Sequence, residues 1–221
     1  MRLHPAQLYA ALLTLATLVA GVFHVLPLLS PVREDNLPRL SALLAHVSTQ
    51  PQRHRVLGYD RDEFGAGWGS IGACTTREAI MVSHFDGRDC HSAGSATDLY
   101  TGRQMTADDV EIDHVIPLSA AWDLGAFAWD DATRVRFAND PANLVATASA
   151  INQDKSDQLP SAWLPPDAGA RCWYSRRVAR VAAAYELPLP EPDVAVMRRQ
   201  CRFALARRLP GRRIKFKSRM T

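Results

Sequence analysis

The stretch of sequence that decides the fold runs from residue 111 to residue 157 and holds three separated polar pieces. They are EIDHVIPL (Glu111–Leu118), NDPANL (Asn139–Leu144) and NQDKSD (Asn152–Asp157). Asp113 beside His114 offers one hard oxygen for a cation and one imidazole for proton transfer. Because adjacent side chains point to opposite faces of a regular strand, both can serve one site only where the strand ends or bends.

The spacing around this dipeptide predicts two short strands followed by a helix. Pro117 comes three residues after the histidine and is a reason for the first strand to stop. Asn143 begins an apolar run, Leu144 to Ala146, that is typical of a returning strand. Asn152 and Lys155 are three residues apart, so on a helix they share a face. Such a unit would bring one Asp, one His, two Asn and one Lys together.

These three pieces, in this order, resemble the His-Asn-Asn version of the HNH endonuclease superfamily. The wider chain resembles a small exported bacterial HNH family related to the C-terminal domain of modification-dependent restriction enzymes. The motifs that carry this second resemblance are Tyr59-x-Arg61-x-x-Phe64-Gly65-x-x-Trp68, Thr76-Arg77-Glu78, Tyr100-Thr101-Gly102, Ala121-Trp122, Phe137-Ala138-Asn139-Asp140 and Trp163-Leu164-Pro165-Pro166. The resemblance implies an α+β fold with a ββα-metal (HNH) core embedded in a mostly helical single domain.

The resemblance also implies a role for each polar residue. His114 would be the general base that takes a proton from the water attacking phosphorus. Asp113 and Asn152 would hold one divalent cation, most simply Mg²⁺ with Mn²⁺ as the alternative. Asn143 would hydrogen-bond the hairpin backbone and orient His114, and Lys155 would be a donor near the phosphate. Glu111 is an extra candidate ligand, although its two-residue offset from Asp113 equally suits a solvent-facing position.

Three arginines are candidates for contact with substrate phosphate, because a guanidinium suits that contact. They are Arg61, Arg77 and Arg136, although arginine is more often a structural ion-pair partner. Arg134 is expected to be a solvated surface residue. The tryptophans in apolar surroundings are expected in the core rather than as platforms for bases: Trp122, Trp129 and Trp163.

The chain is long enough for one domain, and its charge is divided unevenly. It has 221 residues, of which 47% are hydrophobic, and a net charge of +3. Ten of the 26 basic residues lie beyond residue 194, where there is no acid, so residues 1–194 carry 16 basic against 23 acidic residues. This acidic body gives no indication of a uniformly basic nucleic-acid-binding surface. Residues 207–221 are expected to be a basic, disordered tail.

Residues 1–30 are expected to precede the nuclease domain, which is assigned to residues 31–206. Leu8–Leu29 is almost wholly apolar, and Val19-x-Gly21 is a passable cleavage site. A signal-peptide core has about 7–15 residues and a membrane span roughly 20, so the run suits either. A cleaved signal peptide and an uncleaved membrane anchor both stay open, and both place the protein outside the cytoplasm or in the cell envelope.

The cysteines form an even set of four without zinc-finger spacing: Cys74, Cys90, Cys172 and Cys201. Four cysteines allow three disulfide connectivities. Proximity in the sequence favours Cys74–Cys90 and Cys172–Cys201, and the HNH resemblance indicates the same pairs. An oxidising compartment would let them form, whereas four reduced buried thiols are the alternative.

Outside the motif, apolar spacing predicts several further elements. A helix is expected over residues 36–47, a helix or strand over 76–83, and one or two helices over 119–136, inside the hairpin. Two more helices are expected over 170–187 and from Pro192 onward.

Two classes of function fit these observations. The first is an exported, metal-dependent endonuclease acting on DNA, or on RNA. The second is a non-catalytic envelope protein that uses an HNH scaffold and the basic tail to bind polyanions. Intact Asp113, His114, Asn143, Asn152 and Lys155 favour the first class, and no sequence pattern indicates an oligomer.

Overall fold

The computed structural model describes residues 5–25 and 37–202, which form α-helices and short two-stranded sheets. The helices are α1 (Pro5–Val25), α2 (Leu40–Leu44), α3 (Thr76–His84), α4 (Leu118–Asp123), α5 (Asp131–Ala138), α6 (Ser149–Lys155), α7 (Arg171–Ala184) and α8 (Glu191–Cys201). The strands are β1 (Thr49–Gln50), β2 (Ser70–Ile71), β3 (Cys74–Thr75), β4 (Asp86–Arg88), β5 (His91–Ala93), β6 (Ser95–Thr97), β7 (Gln104–Thr106), β8 (Val110–His114), β9 (Leu144–Ala148) and β10 (Leu189–Pro190). The prediction of an α+β fold is confirmed.

Strands β8 and β9 pair in an antiparallel hairpin whose register runs from Val110 opposite Ala148 to His114 opposite Leu144. The helices α4 and α5 lie in the long connection between the two strands, as the sequence predicted. Helix α6 follows β9 directly and packs against both strands. The chain therefore forms a strand, a returning strand and a helix around the Asp113–His114 dipeptide.

The hairpin separates two hydrophobic clusters, because alternate residues of a strand face opposite sides. Val110 and Ile112 enter the smaller cluster, where they meet Ile80 and Met81 of α3. On the other side, Val145 of β9 belongs to the larger cluster. That cluster contains the buried side chains of α2, α4, α7 and α8, including Trp173, Tyr174 and Met197.

Local sequence explains where helices α2 and α3 begin. Thr75 and Glu78 form a capping box, in which each side chain accepts a hydrogen bond from the other's backbone, so the 76–83 segment is a helix rather than a strand. The helix predicted over 36–47 is shorter than expected. Because Leu37 precedes Pro38, the helical conformation is unfavourable at Leu37. Helix α2 therefore starts at Leu40.

Both predicted disulfides are present, and each ties together parts of one side of the domain. Cys74 is bonded to Cys90, which links β3 to the turn beyond α3. Cys172 of α7 is bonded to Cys201 of α8. The latter helices were both predicted from their apolar spacing, and Pro192 lies in the first turn of α8 as expected.

The three tryptophans lie in or against the larger cluster, as predicted, but the expectation for Arg134 is wrong. Trp122 and Trp163 are each 8% exposed, and Trp129 packs against the cluster. Arg134 is buried rather than solvated: its guanidinium pairs with Glu63 (3.2 Å) and Asp131 and donates to backbone carbonyls. These partners replace the hydrogen bonds that the guanidinium would make with water. The sequence around Arg134 did not indicate that they would be within reach.

Helix α1 covers most of the apolar N-terminal run. Across residues 5–25 and 37–202, no helix has the length and apolar character needed to cross a membrane. Removal of residues 1–30 as a signal peptide stays a prediction. The basic segment 207–221 lies outside the described residues.

Candidate active site

The side chains of Asp113 and His114 lie on opposite faces of strand β8, at its C-terminal end. Asp113 lies on the same face as Glu111 and faces α6, whose Lys155 contacts its carboxylate. His114 lies on the face of Val110 and Ile112, which border the smaller cluster. Asp113 is 4% exposed and His114 is 7% exposed, so the protein covers both side chains.

The carboxylate of Asp113 is held by two buried donors. Lys155 Nζ donates to Oδ1 at 2.8 Å, and the Tyr100 hydroxyl donates to Oδ2 at 2.6 Å. Burial raises the pKa of Asp113, whereas the ammonium of Lys155 and the hydroxyl of Tyr100 oppose that rise. Lys155 also donates to the His114 carbonyl at 2.7 Å, so it joins α6 to the end of β8.

The imidazole of His114 has two neighbours that define its orientation. Nε2 lies 2.9 Å from the Ala138 carbonyl oxygen, and the ring stacks on Trp68 with 5.9 Å between centroids and 3° between planes. Since a carbonyl only accepts, Nε2 carries the proton and Nδ1 keeps the lone pair of the neutral ring. Burial lowers the pKa of His114 to about 4, so the ring is neutral near pH 7.

Asn143 bonds the hairpin backbone beyond the histidine. Its Oδ1 accepts from Ile116 N at 2.8 Å, and its Nδ2 donates to the Ile116 carbonyl at 3.2 Å. The Asn143 carbonyl accepts from Val115 N at 2.8 Å. This fully buried amide therefore fixes the chain immediately after His114 through backbone contacts.

Asn152 projects from α6 toward Glu111. Its Nδ2 donates to Glu111 Oε2 at 2.6 Å, and Gln153 Nε2 donates to Oε1 at 3.3 Å. Glu111, Asp113 and Asn152 supply only carboxylate and amide oxygens, a donor set that suits a hard cation such as Mg²⁺. Within the described part of the chain, no cluster of three or more His, Cys, Asp or Glu side chains could hold a metal.

The three candidate phosphate-binding arginines occupy different surroundings. Arg61 is exposed, and after burial, which is the main cause, its positive charge also lowers the pKa of His114. Arg77 donates to the Val110 carbonyl at 3.1 Å, and Arg136 donates to Thr133 Oγ1 at 3.1 Å. Of the three arginines, Arg61 is therefore the one whose charge acts on the imidazole. Arg77 bonds the backbone of β8, and Arg136 bonds a side chain of its own helix, α5.

Sequence reasoning missed several residues that hold the site in place. Tyr100 was part of a quoted motif but had no assigned role, and Trp68 was likewise unassigned. Asp98 is 1% exposed, and it accepts from Tyr100 N (2.7 Å), Thr147 Oγ1 (3.0 Å) and Ala148 N (3.3 Å). The available signal for Tyr100 and Trp68 was their place in the motifs that carry the family resemblance.

Comparison with known proteins adds three findings. A family model described as "GmrSD restriction endonucleases, C-terminal domain" matches residues 81–183. A relative from Arthroderma benhamiae, described as an uncharacterized secreted protein, is 37% identical over 174 residues, which cover 73% of this chain and 84% of the relative. No solved structure matches the chain significantly.

Proposed function

Because the chain belongs to the family of the C-terminal domain of GmrSD restriction endonucleases, we propose that it is an extracellular endonuclease that hydrolyses phosphodiester bonds of nucleic acid. DNA is the preferred substrate in this proposal, and RNA is the alternative. Two disulfides and a relative described as secreted support a location outside the cytoplasm.

The observation that carries this proposal is the connection of Asp113, His114 and α6 by one side chain. Lys155 reaches Asp113 Oδ1 at 2.8 Å and the His114 carbonyl at 2.7 Å. Two antiparallel strands and the following helix therefore hold Asp113, Lys155 and the backbone of His114 in one unit, with the His114 ring on the opposite face of the strand. We infer that this unit is a ββα-metal core.

In this core, Asp113 and Asn152 are the proposed ligands of one Mg²⁺, and Glu111 is an additional candidate. Mn²⁺ would suit the same oxygen donors. The bound cation would stabilise negative charge on the phosphate and on the departing oxygen. Because Lys155 already neutralises Asp113 Oδ1, its ammonium would have to share that oxygen or move aside.

His114 is the proposed general base. Its ring is neutral near pH 7, because burial lowers its pKa to about 4, and Nδ1 is the nitrogen left to accept a proton from water. The Ala138 carbonyl fixes that tautomer by accepting from Nε2. Asn143 supports the arrangement by holding the backbone after His114 through Ile116.

Lys155 and Arg61 are the proposed donors to the phosphate. Arg61 is exposed and electrostatically coupled to His114, which suits a residue that meets an approaching anion. Arg77 and Arg136 stay weaker candidates, because Arg77 donates to a backbone carbonyl and Arg136 donates to a neighbouring threonine.

The second candidate function is a non-catalytic polyanion-binding protein. It is favoured by the enclosed Asp113 carboxylate, both of whose oxygens already have donors in Lys155 and Tyr100. A scaffold that had replaced its metal by an ammonium would have the same contacts.

Plasmid nicking by the purified full chain tests the proposal. We expect relaxed circles with Mg²⁺, none with EDTA, and none with His114→Ala. His91→Ala is the matched control, since His91 is an exposed histidine of strand β5. Nicking that persists in EDTA or in His114→Ala would reject the assigned site, and binding to both nucleic acids without cleavage would support the second candidate.

A further inference from the structure

The loop from Gly65 to Gly72 places an aromatic ring directly on the imidazole of His114. Gly65, Gly67 and Gly72 have φ angles of 100°, 155° and 64°, which glycine adopts without strain. These glycines let the loop turn back so that Trp68 lies parallel to His114, at an offset-stacking distance of 5.9 Å. Trp68 is only partly buried, whereas the imidazole that it stacks on is 7% exposed.

The two contacts that orient the imidazole are connected to each other through one hydrogen bond. Nε2 of His114 bonds the Ala138 carbonyl, and Asn139, the next residue, accepts from Gly69 N at 2.7 Å through Oδ1. Gly69 follows Trp68, which stacks on the ring. The end of α5 therefore holds both the nitrogen and the aromatic partner of the same histidine.

The Gly69 backbone packs tightly against the Asn139 amide, so a side chain at this position would require Asn139 to shift by a few tenths of an ångström. A Cβ atom built there would lie 3.1 Å from Asn139 Cγ and 3.2 Å from its Oδ1. On its other side, the Gly69 carbonyl accepts from Thr76 N at 2.7 Å, at the start of α3. Asn139 in turn donates from Nδ2 to the Val135 carbonyl at 2.9 Å, which fixes the direction of its amide.

A single hydrogen bond at Nε2 leaves the imidazole free to tilt about that bond. A stacked ring removes this freedom, because the tilt would separate the two faces. We propose that Trp68 is a positioning residue that sets the plane of His114 and thereby directs Nδ1, and that Asn139 holds Trp68 in place through Gly69. This role rests on the proposed function, in which Nδ1 accepts the proton of the attacking water.

Kinetics of plasmid nicking measure the positioning role. In Trp68→Ala we expect kcat to fall about 100-fold with little change in KM, because a small misplacement of a reacting group can cost that factor. Trp68→Phe should restore most of kcat by supplying a flat ring. Asn139→Ala should lie between them, whereas Asn139→Asp keeps the oxygen that accepts from Gly69 and should rescue activity. Trp129→Phe, which changes a partly buried tryptophan away from these contacts, is the matched control.

A second measurement does not depend on nuclease activity. Diethyl pyrocarbonate modifies accessible, unprotonated imidazole nitrogens, and mass spectrometry of digested protein reports each histidine separately. In the metal-free full chain we expect His114 to react at least 10-fold faster in Trp68→Ala than in the wild type, with exposed His91 as the internal reference. Trp68→Phe should keep the slow rate, and circular dichroism should confirm that each variant is folded.

The nicking kinetics and the modification rates distinguish failure of the positioning role from failure of the proposed nuclease function. An unchanged His114 modification rate in folded Trp68→Ala would overturn the positioning role, as would an activity loss that falls on KM alone. If the wild-type protein cleaves no nucleic acid under any metal condition, the proposed function fails. The modification rates of the Trp68 variants then still decide whether Trp68 holds and covers the ring.

Discussion

The two faces of strand β8 hold neighbouring residues by different physical means. On one face, Asp113 is surrounded by charged and hydroxyl donors from Lys155 and Tyr100. On the other face, His114 has one backbone hydrogen bond and the flat ring of Trp68. We refer to them as the polar face and the stacked face. A buried charge requires a partner, whereas a neutral imidazole requires only packing and one acceptor.

This difference has a consequence for what each face tolerates. The contacts of the polar face are strong and mutually dependent, so loss of one partner leaves another group buried without compensation. The stacked face depends on shape and on a neutral ring, so loss of the aromatic contact should affect orientation more than stability, whereas protonation of the imidazole should affect stability. Four predictions test this contrast, from the largest expected effect to the smallest.

Lys155→Met should be the most destabilising change. It leaves the buried Asp113 carboxylate without its cation, which typically costs about 3–5 kcal/mol of unfolding free energy. Urea denaturation followed by circular dichroism measures the loss. The double variant Asp113→Asn with Lys155→Met removes both charges and should recover much of it. A single variant that loses less than about 1 kcal/mol would show that the polar face does not depend on this ion pair.

Acidification should weaken the protein through the stacked face. The pKa of His114 is about 4 in the folded chain, below the 6.5 expected when unfolded, so protons bind the unfolded chain first. Stability should therefore fall as the pH drops from about 6.5 to about 4, by about 3 kcal/mol in total. Urea titrations at several pH values should show this slope in the wild type and not in His114→Asn.

The carboxyl of Asp113 contributes with the opposite sign. Burial raises its pKa, so the folded chain binds that proton first and gains stability as the pH falls through the raised value. Both proteins in the comparison contain Asp113, so the difference between their slopes isolates His114. Identical slopes would mean that the imidazole is not held neutral by burial.

Tyr100→Phe should have an intermediate effect. It removes the hydroxyl that donates to Asp113 Oδ2 while keeping the ring in the core, and hydrogen bonds to charged groups contribute about 2 kcal/mol. Thermal and urea unfolding measure it. Tyr185→Phe is the matched control, because the Tyr185 hydroxyl donates to Asp140 at 3.0 Å in a partly buried position. Equal losses in both variants would contradict a special dependence of the polar face on its donors.

Magnesium should stabilise the folded protein by the smallest amount. A cation that binds only the folded chain adds about 1.4 kcal/mol at ten times its Kd. Thermal melts at increasing Mg²⁺ concentration should show the shift in the wild type and reduce it in Asn152→Ala. Trp68→Ala, which alters only the stacked face, should keep the full shift. A shift that survives Asn152→Ala would place the cation elsewhere.

Much of the polar face and of helix α6 could be predicted from the sequence, because the residue spacings that indicate them are local. Period-two alternation puts Glu111 and Asp113 on one face, and three-residue spacing puts Asn152 and Lys155 on one face of a helix. The backbone contact expected for Asn143 is present. Nearest neighbours in sequence also gave both cystine pairs.

The partners across the fold could not be predicted. Tyr100 and Asp113 are 13 residues apart in the sequence, and no local pattern indicates that the hydroxyl donates to the carboxylate. The contact of Lys155 with Asp113 could not be predicted either, because a lysine's partner depends on packing, and here Lys155 is fully buried against that carboxylate. Arg134 was expected to be solvated for the same reason, since one of the carbonyls that bind it belongs to Glu63, which is 71 residues away in the sequence.

The order of the cystines along the chain bears on how the protein can fold in an oxidising compartment. Cys74 bonds the next cysteine, Cys90, and Cys172 bonds the next one, Cys201. A chain that enters N-terminus first presents the first pair together, well before the second pair arrives. Each thiol therefore meets its correct partner first, so oxidation can proceed during translocation without the later exchange of wrongly paired bonds.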